Sequence, residues 1–270
     1  MNRLDAALAA RKAEGRKALV PFITAGDPSL EATVPVMHAL VAAGADVIEL
    51  GVPFSDPMAD GPTIQRSSER ALGRGAGLRF VLEVVRAFRQ TDATTPVVLM
   101  GYLNPVEIHG AERFAREATE AGVDGALLVD LPPEEAAQTR ATFNAYGLQL
   151  IALAAPTTSP ERMALLCEQG QGYLYYVSFA GVTGASDRLD TQAAGERLRT
   201  LRAAASVPVV VGFGIKDAAS AAAMAPAADG VVVGSALVEA IAAAQNPAQA
   251  AELAGTFLRP LREALDQALG

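Results

Sequence analysis

Short apolar runs recur along the chain, and the stretches between them carry helical spacing. Eight runs predict strands, at about 19–24, 47–50, 97–101, 125–129, 149–153, 173–178, 208–212 and 230–233. They are rich in branched residues and do not alternate apolar with polar. That pattern suits parallel strands covered on both faces. Helical patterns fill the gaps, as from Phe80 to Phe88, Ala111 to Ala121, Glu134 to Tyr146, Glu161 to Glu168, Thr191 to Ala204 and Ala218 to Ala225. Ahead of the first strand, Leu4, Ala7, Leu8 and Arg11 predict an amphipathic helix over 2–13, suited to plug one end of the fold. A further helix is expected over roughly 30–43. The tail, 247–269, reads as one or two helices, with Leu253, Phe257, Leu261 and Leu265 four apart.

One unit repeats. Ala43-Gly-Ala-Asp-Val-Ile-Glu-Leu50 is echoed by Ala121-Gly-Val-Asp-Gly-Ala-Leu-Leu-Val-Asp130 and by Ala228-Asp-Gly-Val-Val-Val-Gly234. Each is a helix end, a tight turn and a short strand. Eight such strand–helix units in about 250 residues match a (β/α)8 TIM barrel. An open, doubly wound sheet shares the alternation. No Pro/Ser linker or charge run divides the chain, so residues 1–270 are expected to form a single barrel domain.

Composition narrows the partners. Half of the 270 residues are hydrophobic, and 30 acidic against 22 basic side chains leave a formal charge of −8. An acidic chain without a Lys/Arg-rich run is a poor match for nucleic acid or an anionic membrane. The Ala-rich stretch 218–238 is interrupted by Pro226, Asp229 and Gly234, which argues against a membrane span. No signal-peptide pattern opens the chain, so a cytoplasmic protein is expected. Cys167 is the lone cysteine, and His38 and His109 stand apart, so no metal site is expected. Both histidines fall on helices or their approaches and read as structural.

In a barrel of this kind, chemistry sits at the C-terminal strand ends. Glu49 lies inside the second strand, where a bare carboxylate is costly unless it is paired or used. A loop of about ten residues follows, longer than usual for such a connection, with two prolines ahead of Pro62 and the carboxylates Asp56 and Asp60. Pro62 suits the first position of the next helix. Each acid also has a plain reading: Glu49 as a partnered core residue, Asp60 as the cap of the helix at Pro62. Three glycine clusters follow late strands: Gly181-Val-Thr183-Gly184, Gly212-Phe213-Gly214-Ile215, and Gly234-Ser235 before a short helix. Glycine admits close backbone approach, and a helix N-terminus offers free N–H groups, so these loops form a candidate phosphate cradle. Phe22, Met100, Leu127, Tyr175 and Phe213 are positioned to wall an apolar pocket between cradle and carboxylates, although ordinary barrel packing accounts for any one of them. Tyr102 and Asp130 also fall at strand ends. The implied ligand is an apolar or aromatic group joined to a phosphate.

Glu49-Leu-Gly-Val-Pro-Phe-Ser-Asp-Pro-Met-Ala-Asp-Gly-Pro-Thr-Ile-Gln65 resembles the signature segment of the tryptophan synthase α chain family. The resemblance continues, in order, through Pro21–Pro28, Met100–Pro105, Asp130–Glu134, Gly181–Gly184, Gly212–Ile215 and Gly234-Ser235. It implies retro-aldol cleavage of indole-3-glycerol phosphate to indole and glyceraldehyde 3-phosphate. It further implies Glu49 as general acid/base and Asp60 as the second carboxylate. Tyr175 would line the site, and the loops at Thr183, Gly184, Gly214, Gly234 and Ser235 would hold phosphate. The chain itself would need no cofactor. Pyridoxal phosphate would belong to a partner β chain in an α2β2 complex, facing loop 53–60 and the segment 178–190, the latter suited to act as a lid. A stand-alone indole-3-glycerol-phosphate lyase, another sugar-phosphate enzyme on this scaffold and a non-catalytic regulatory subunit are the competing expectations. Whether Asp60 acts as a base or only as a hydrogen-bond acceptor stays open.

Overall fold

The computed structural model describes residues 2–177, 191–212 and 214–268, the backbone alone over 191–197. In chain order the first half comprises α1 (Arg3–Ala13), β1 (Ala18–Thr24), a 3-10 turn (Leu30–Ala32), α2 (Thr33–Ala42), β2 (Ile48–Gly51), α3 (Pro62–Gly73), α4 (Leu78–Arg89), β3 (Val97–Gly101), α5 (Leu103–His109), α6 (Ala111–Ala121) and β4 (Gly125–Leu128). The second half comprises α7 (Ala136–Ala145), β5 (Gln149–Ala154), α8 (Pro160–Gln169), β6 (Leu174–Val177), α9 (Thr191–Ala204), β7 (Val209–Gly212), α10 (Ala218–Met224), β8 (Gly230–Val233), α11 (Ser235–Ala242) and α12 (Pro247–Gln267).

The eight strands close into one parallel barrel in sequence order, with β8 returning to β1. Register is continuous across the rows that matter: Phe22 pairs with Glu49, and Glu49 with Val98. The open-sheet alternative is thereby excluded. A period of two along each strand sorts side chains into two cores. One lies between the barrel and its helices and includes Ile23, Leu50, Leu99, Phe114 and Phe143. The other fills the barrel itself with Val20, Phe22, Val47, Val98, Leu127, Ile151, Tyr173, Tyr175, Val210 and Val232.

Leu4 and Leu8 of α1 belong to this inner core. Asn2 caps the helix by accepting the Leu4 N–H. The expected N-terminal plug therefore forms. The tail is one helix, α12, which continues through Pro260 rather than breaking there. Its Arg262 reaches the backbone oxygen of Lys17 and the carboxylate of Asp46. Those bonds tie the last helix to the start of the barrel. The expected helix over 30–43 is shorter than its pattern, because its first turn is the 3-10 segment. Among the described residues, no helix is long and apolar enough to cross a membrane.

Candidate active site

Glu49 is presented by the short strand β2 and is 0% exposed. The hydroxyl of Tyr173 donates to Glu49 Oε1 from across the barrel lumen, since β2 and β6 lie four strands apart in the closed ring. Glu49 Oε2 is buried with no hydrogen-bond partner among the described residues. Burial raises the Glu49 carboxyl to about 7, and the Tyr173 hydrogen bond opposes that rise. Loss of hydration disfavours the ionised form, and a donor to the carboxylate favours it. The neighbouring Tyr173 phenol is pushed well above its ordinary range by burial and by the Glu49 charge. The shared proton accordingly stays on the tyrosine.

Asp60 sits in the loop after β2, braced by Gln65, whose Nε2 donates to the backbone oxygens of Asp60 and Pro57 at 3.0 and 3.3 Å. It does not cap the following helix. Gly61 occupies that position with extended backbone, and Pro62 takes the first helical turn as expected. The Asp60 side chain instead accepts from the Tyr102 hydroxyl at 3.2 Å. That same hydroxyl accepts the Ala59 N–H at 3.0 Å. Burial raises the Asp60 carboxyl to about 6, with the Tyr102 bond pulling the other way.

Tyr175 links the two acids electrostatically. Burial, then the Glu49 charge, then the Asp60 charge hold its phenol well above the usual range. Both carboxylates therefore lie at the same end of the barrel. The ring needs the glycine beside it: a Cβ on Gly212 would fall 2.2 Å from the Tyr175 hydroxyl oxygen. Likewise a Cβ on Gly51 would fall 2.6 Å from Phe22 Cζ. Phe22, Leu127 and Tyr175 share the inner core, with Met100 packed against it.

On the far side, Gly234 is the N-cap of α11 and Ser235 its first residue. Gly234 has no side chain to cap this helix, and among the described residues no side chain claims the first-turn N–H groups. Gly214 adopts φ +55° and is exposed. Thr183, Gly184 and Phe213 lie outside the described residues, as does the whole segment 178–190 with its expected lid. Asp130 is committed locally, accepting the Leu103 N–H at 2.8 Å. His38 bonds Thr91 and stacks against Phe88, and His109 pairs with Glu117. Neither histidine is at a strand end. Among the described residues, no group of three His, Cys, Asp or Glu is arranged to hold a metal ion.

Sequence reasoning missed two tyrosines. Tyr173 is two residues before Tyr175, so strand periodicity places both on the inner face. That signal was present in the sequence. Tyr102 was noticed only as a strand end, and its bond to Asp60 spans 42 positions. No local pattern reports such a contact.

A closed eight-stranded barrel with two elevated carboxyls and an uncapped helix start at the same strand ends defines a TIM-barrel enzyme. A family profile described as "Tryptophan synthase alpha chain" matches residues 8–266. A tryptophan synthase alpha chain of Xanthomonas euvesicatoria is 74% identical over 267 residues, covering 99% of this chain and 100% of that one. The crystal structure of the alpha subunit from Legionella pneumophila superposes with a TM-score of 0.92 at 48% identity, covering 99% of each chain. A structure described as the tryptophan synthase a2b2 complex from Pyrococcus furiosus gives 0.84 at 39% identity, over 91% of this chain and 98% of that one. The chain belongs to the tryptophan synthase alpha chain family. It is a lyase of tryptophan biosynthesis that cleaves indole-3-glycerol phosphate.

Proposed function

We propose that Glu49 moves the proton and that Asp60 holds the indole N–H during this cleavage. The observation that carries the assignment is the buried Glu49 carboxyl with one oxygen unclaimed. An orphaned buried acceptor costs free energy in the empty protein, and a reacting ligand relieves that cost. With its ionisation near 7, Glu49 can both give and take a proton at working pH.

The steps balance on this one carboxyl. Protonated Glu49 delivers its proton to indole C3, which makes the ring an iminium-like leaving group. The Asp60 carboxylate accepts the ring N–H where positive charge develops. The Glu49 carboxylate then removes the proton from the hydroxyl on the carbon bonded to C3. The C3 bond breaks, its electron pair returns to the ring, and the hydroxyl-bearing carbon becomes the aldehyde. Indole and glyceraldehyde 3-phosphate leave, and Glu49 ends protonated as it began.

Phe22, Met100, Leu127, Tyr175 and Phe213 wall the indole. Thr183, Gly184, Gly214, Gly234 and Ser235 hold the phosphate, with the uncapped α11 start supporting that role. Tyr102 positions Asp60 and Tyr173 positions Glu49. Residues 1–270 act as one barrel domain, a reading supported by the pairing of the first strand with the last. The chain works in the cytoplasm with a β chain that carries pyridoxal phosphate, in an α2β2 complex like that of the Pyrococcus furiosus protein. Met58 and Ile108, 86% and 78% exposed, support a partner surface beside the Asp60 loop. Incubation with indole-3-glycerol phosphate, with and without a β chain, tests the whole reading. Indole should appear in both and faster with the β chain. Indole released by the complex at an undiminished rate when this chain carries Glu49→Gln would instead make it a regulatory subunit.

A further inference from the structure

At the opposite end of the barrel, below the starts of β1, β7 and β8, lies a cleft of about 230 Å³. Its walls carry Arg11, Lys12, Arg16, Lys17 and Arg202 with Asp229, while Glu14, Asp46 and Asp266 reach the arginines from its edge. This concentration stands out in a chain whose formal charge is −8. Some of these cations are already engaged. Arg11 pairs with Glu14 at 3.1 Å, Arg16 with Asp266 at 2.7 Å and Arg202 with Asp229 at 2.7 Å. Two are not saturated. Lys12 has no side-chain partner among the described residues. Lys17 is 8% exposed, and among the described residues its ammonium donates only to the Ala228 backbone oxygen at 2.8 Å, leaving two N–H donors.

A nearly buried ammonium without a paired carboxylate of its own is costly. Burial first, and then the Arg202 charge, lower the Lys17 ionisation constant, whereas Asp229 opposes them only in part. Lys12 and Lys17 are thus the two cations of the cleft with no carboxylate partner among the described residues.

We propose that this cleft binds a compact polyvalent oxyanion of the phosphate type, at a site separate from the barrel mouth where the substrate phosphate is held. Lys12 and Lys17 supply the free donors and the uncompensated charge, while Arg202 stays paired with Asp229 at the wall. Because the cleft joins α1 to the loop before β7, occupancy fastens the barrel plug to the wall that leads to Gly212. An anion that binds only the folded chain also stabilises it.

Inorganic pyrophosphate at constant ionic strength is the probe, followed by calorimetry and by amide hydrogen exchange on the full chain. Citrate provides a carboxylate arm that separates phosphate chemistry from general polyanion binding. The expected result is saturable binding that slows exchange over residues 11–17 and 202–208. Lys12→Glu, an exposed change that leaves the core untouched, should weaken this binding about tenfold. Gly234→Asp at the barrel mouth should leave it in place. Unchanged pyrophosphate affinity in Lys12→Glu would overturn the proposal, as would protection confined to the residues around 234 or equal binding of citrate. No saturable binding to the wild-type chain would overturn it too.

Discussion

Glu49, the proposed acid/base, is buried at the expense of stability. Its ionisation rises from 4.5 to about 7 on burial. Between those values the folded chain keeps a proton that the unfolded chain has released. The native state is thus favoured most below 4.5, and this contribution is lost as pH climbs through 7. The shift corresponds to about 3 kcal/mol. Glu49→Gln has no such titration. In urea unfolding it should gain about 3 kcal/mol on the wild type between about pH 4.5 and about pH 8. A constant difference across that range would mean the carboxyl is not buried as described. Asp60 has a different role and a different signature. Asp60→Asn keeps the shape but loses the charge proposed to face the ring N–H, so kcat should fall while KM changes little. A large rise in KM at unchanged kcat would make Asp60 a simple binding group.

The elements show which parts of the account the sequence could disclose. Parallel strands covered on both faces read as unbroken apolar runs, and that is why all eight barrel strands were visible in the pattern. The N-terminal plug was visible for a similar reason, since Leu4 and Leu8 lie one helical turn apart. The helix α5 was not, because its 7 residues between β3 and Gly110 at φ +88° are too few to show a period, whereas α6 begins and ends where its pattern does. Nor was the cap at Pro62, where aspartate preference pointed to Asp60 and the tertiary pull of Tyr102 decided otherwise. The carboxyls of Glu49 and Asp60, proposed as catalytic, were legible from the end of β2 and the loop after it, whereas Tyr102 and the cross-barrel bond from Tyr173 depend on closure of the ring. The plug offers a direct check. Leu4 is fully buried and touches the space that Gly172 leaves open, where a Cβ would fall 2.5 Å from Leu4 Cδ2. Leu4→Ala should lower unfolding free energy by about 2–5 kcal/mol. A loss under about 1 kcal/mol in denaturant titration would show that the inner core does not depend on α1.

At the scale of the whole molecule, the barrel has two chemically distinct ends. The C-terminal strand ends gather the raised carboxyls and the uncapped α11, while the N-terminal ends gather the basic cleft under α1. The exposed apolar residues, Met58 and Ile108, stand beside the first of these. Tyr102 immediately precedes α5, whose Ile108 faces outward, and its hydroxyl holds Asp60. A partner seated on α5 therefore sits one short helix from the carboxylate it would influence. Ile108→Asp should weaken association with a β chain about tenfold and leave cleavage by the isolated chain unchanged. Equal affinity in a titration of β-chain activity would move the interface elsewhere.

The central claim is that Glu49 carries the proton. The most direct test follows indole release from indole-3-glycerol phosphate, from about pH 5 to about pH 9, for the wild type and for Glu49→Gln. The wild type should rise as Asp60 ionises near 6 and decline as Glu49 loses its proton near 7. Glu49→Gln should be folded, should bind ligand, and should be slower by about 10³-fold. Turnover close to wild type in Glu49→Gln, with the alkaline limb still in place, would contradict the assignment.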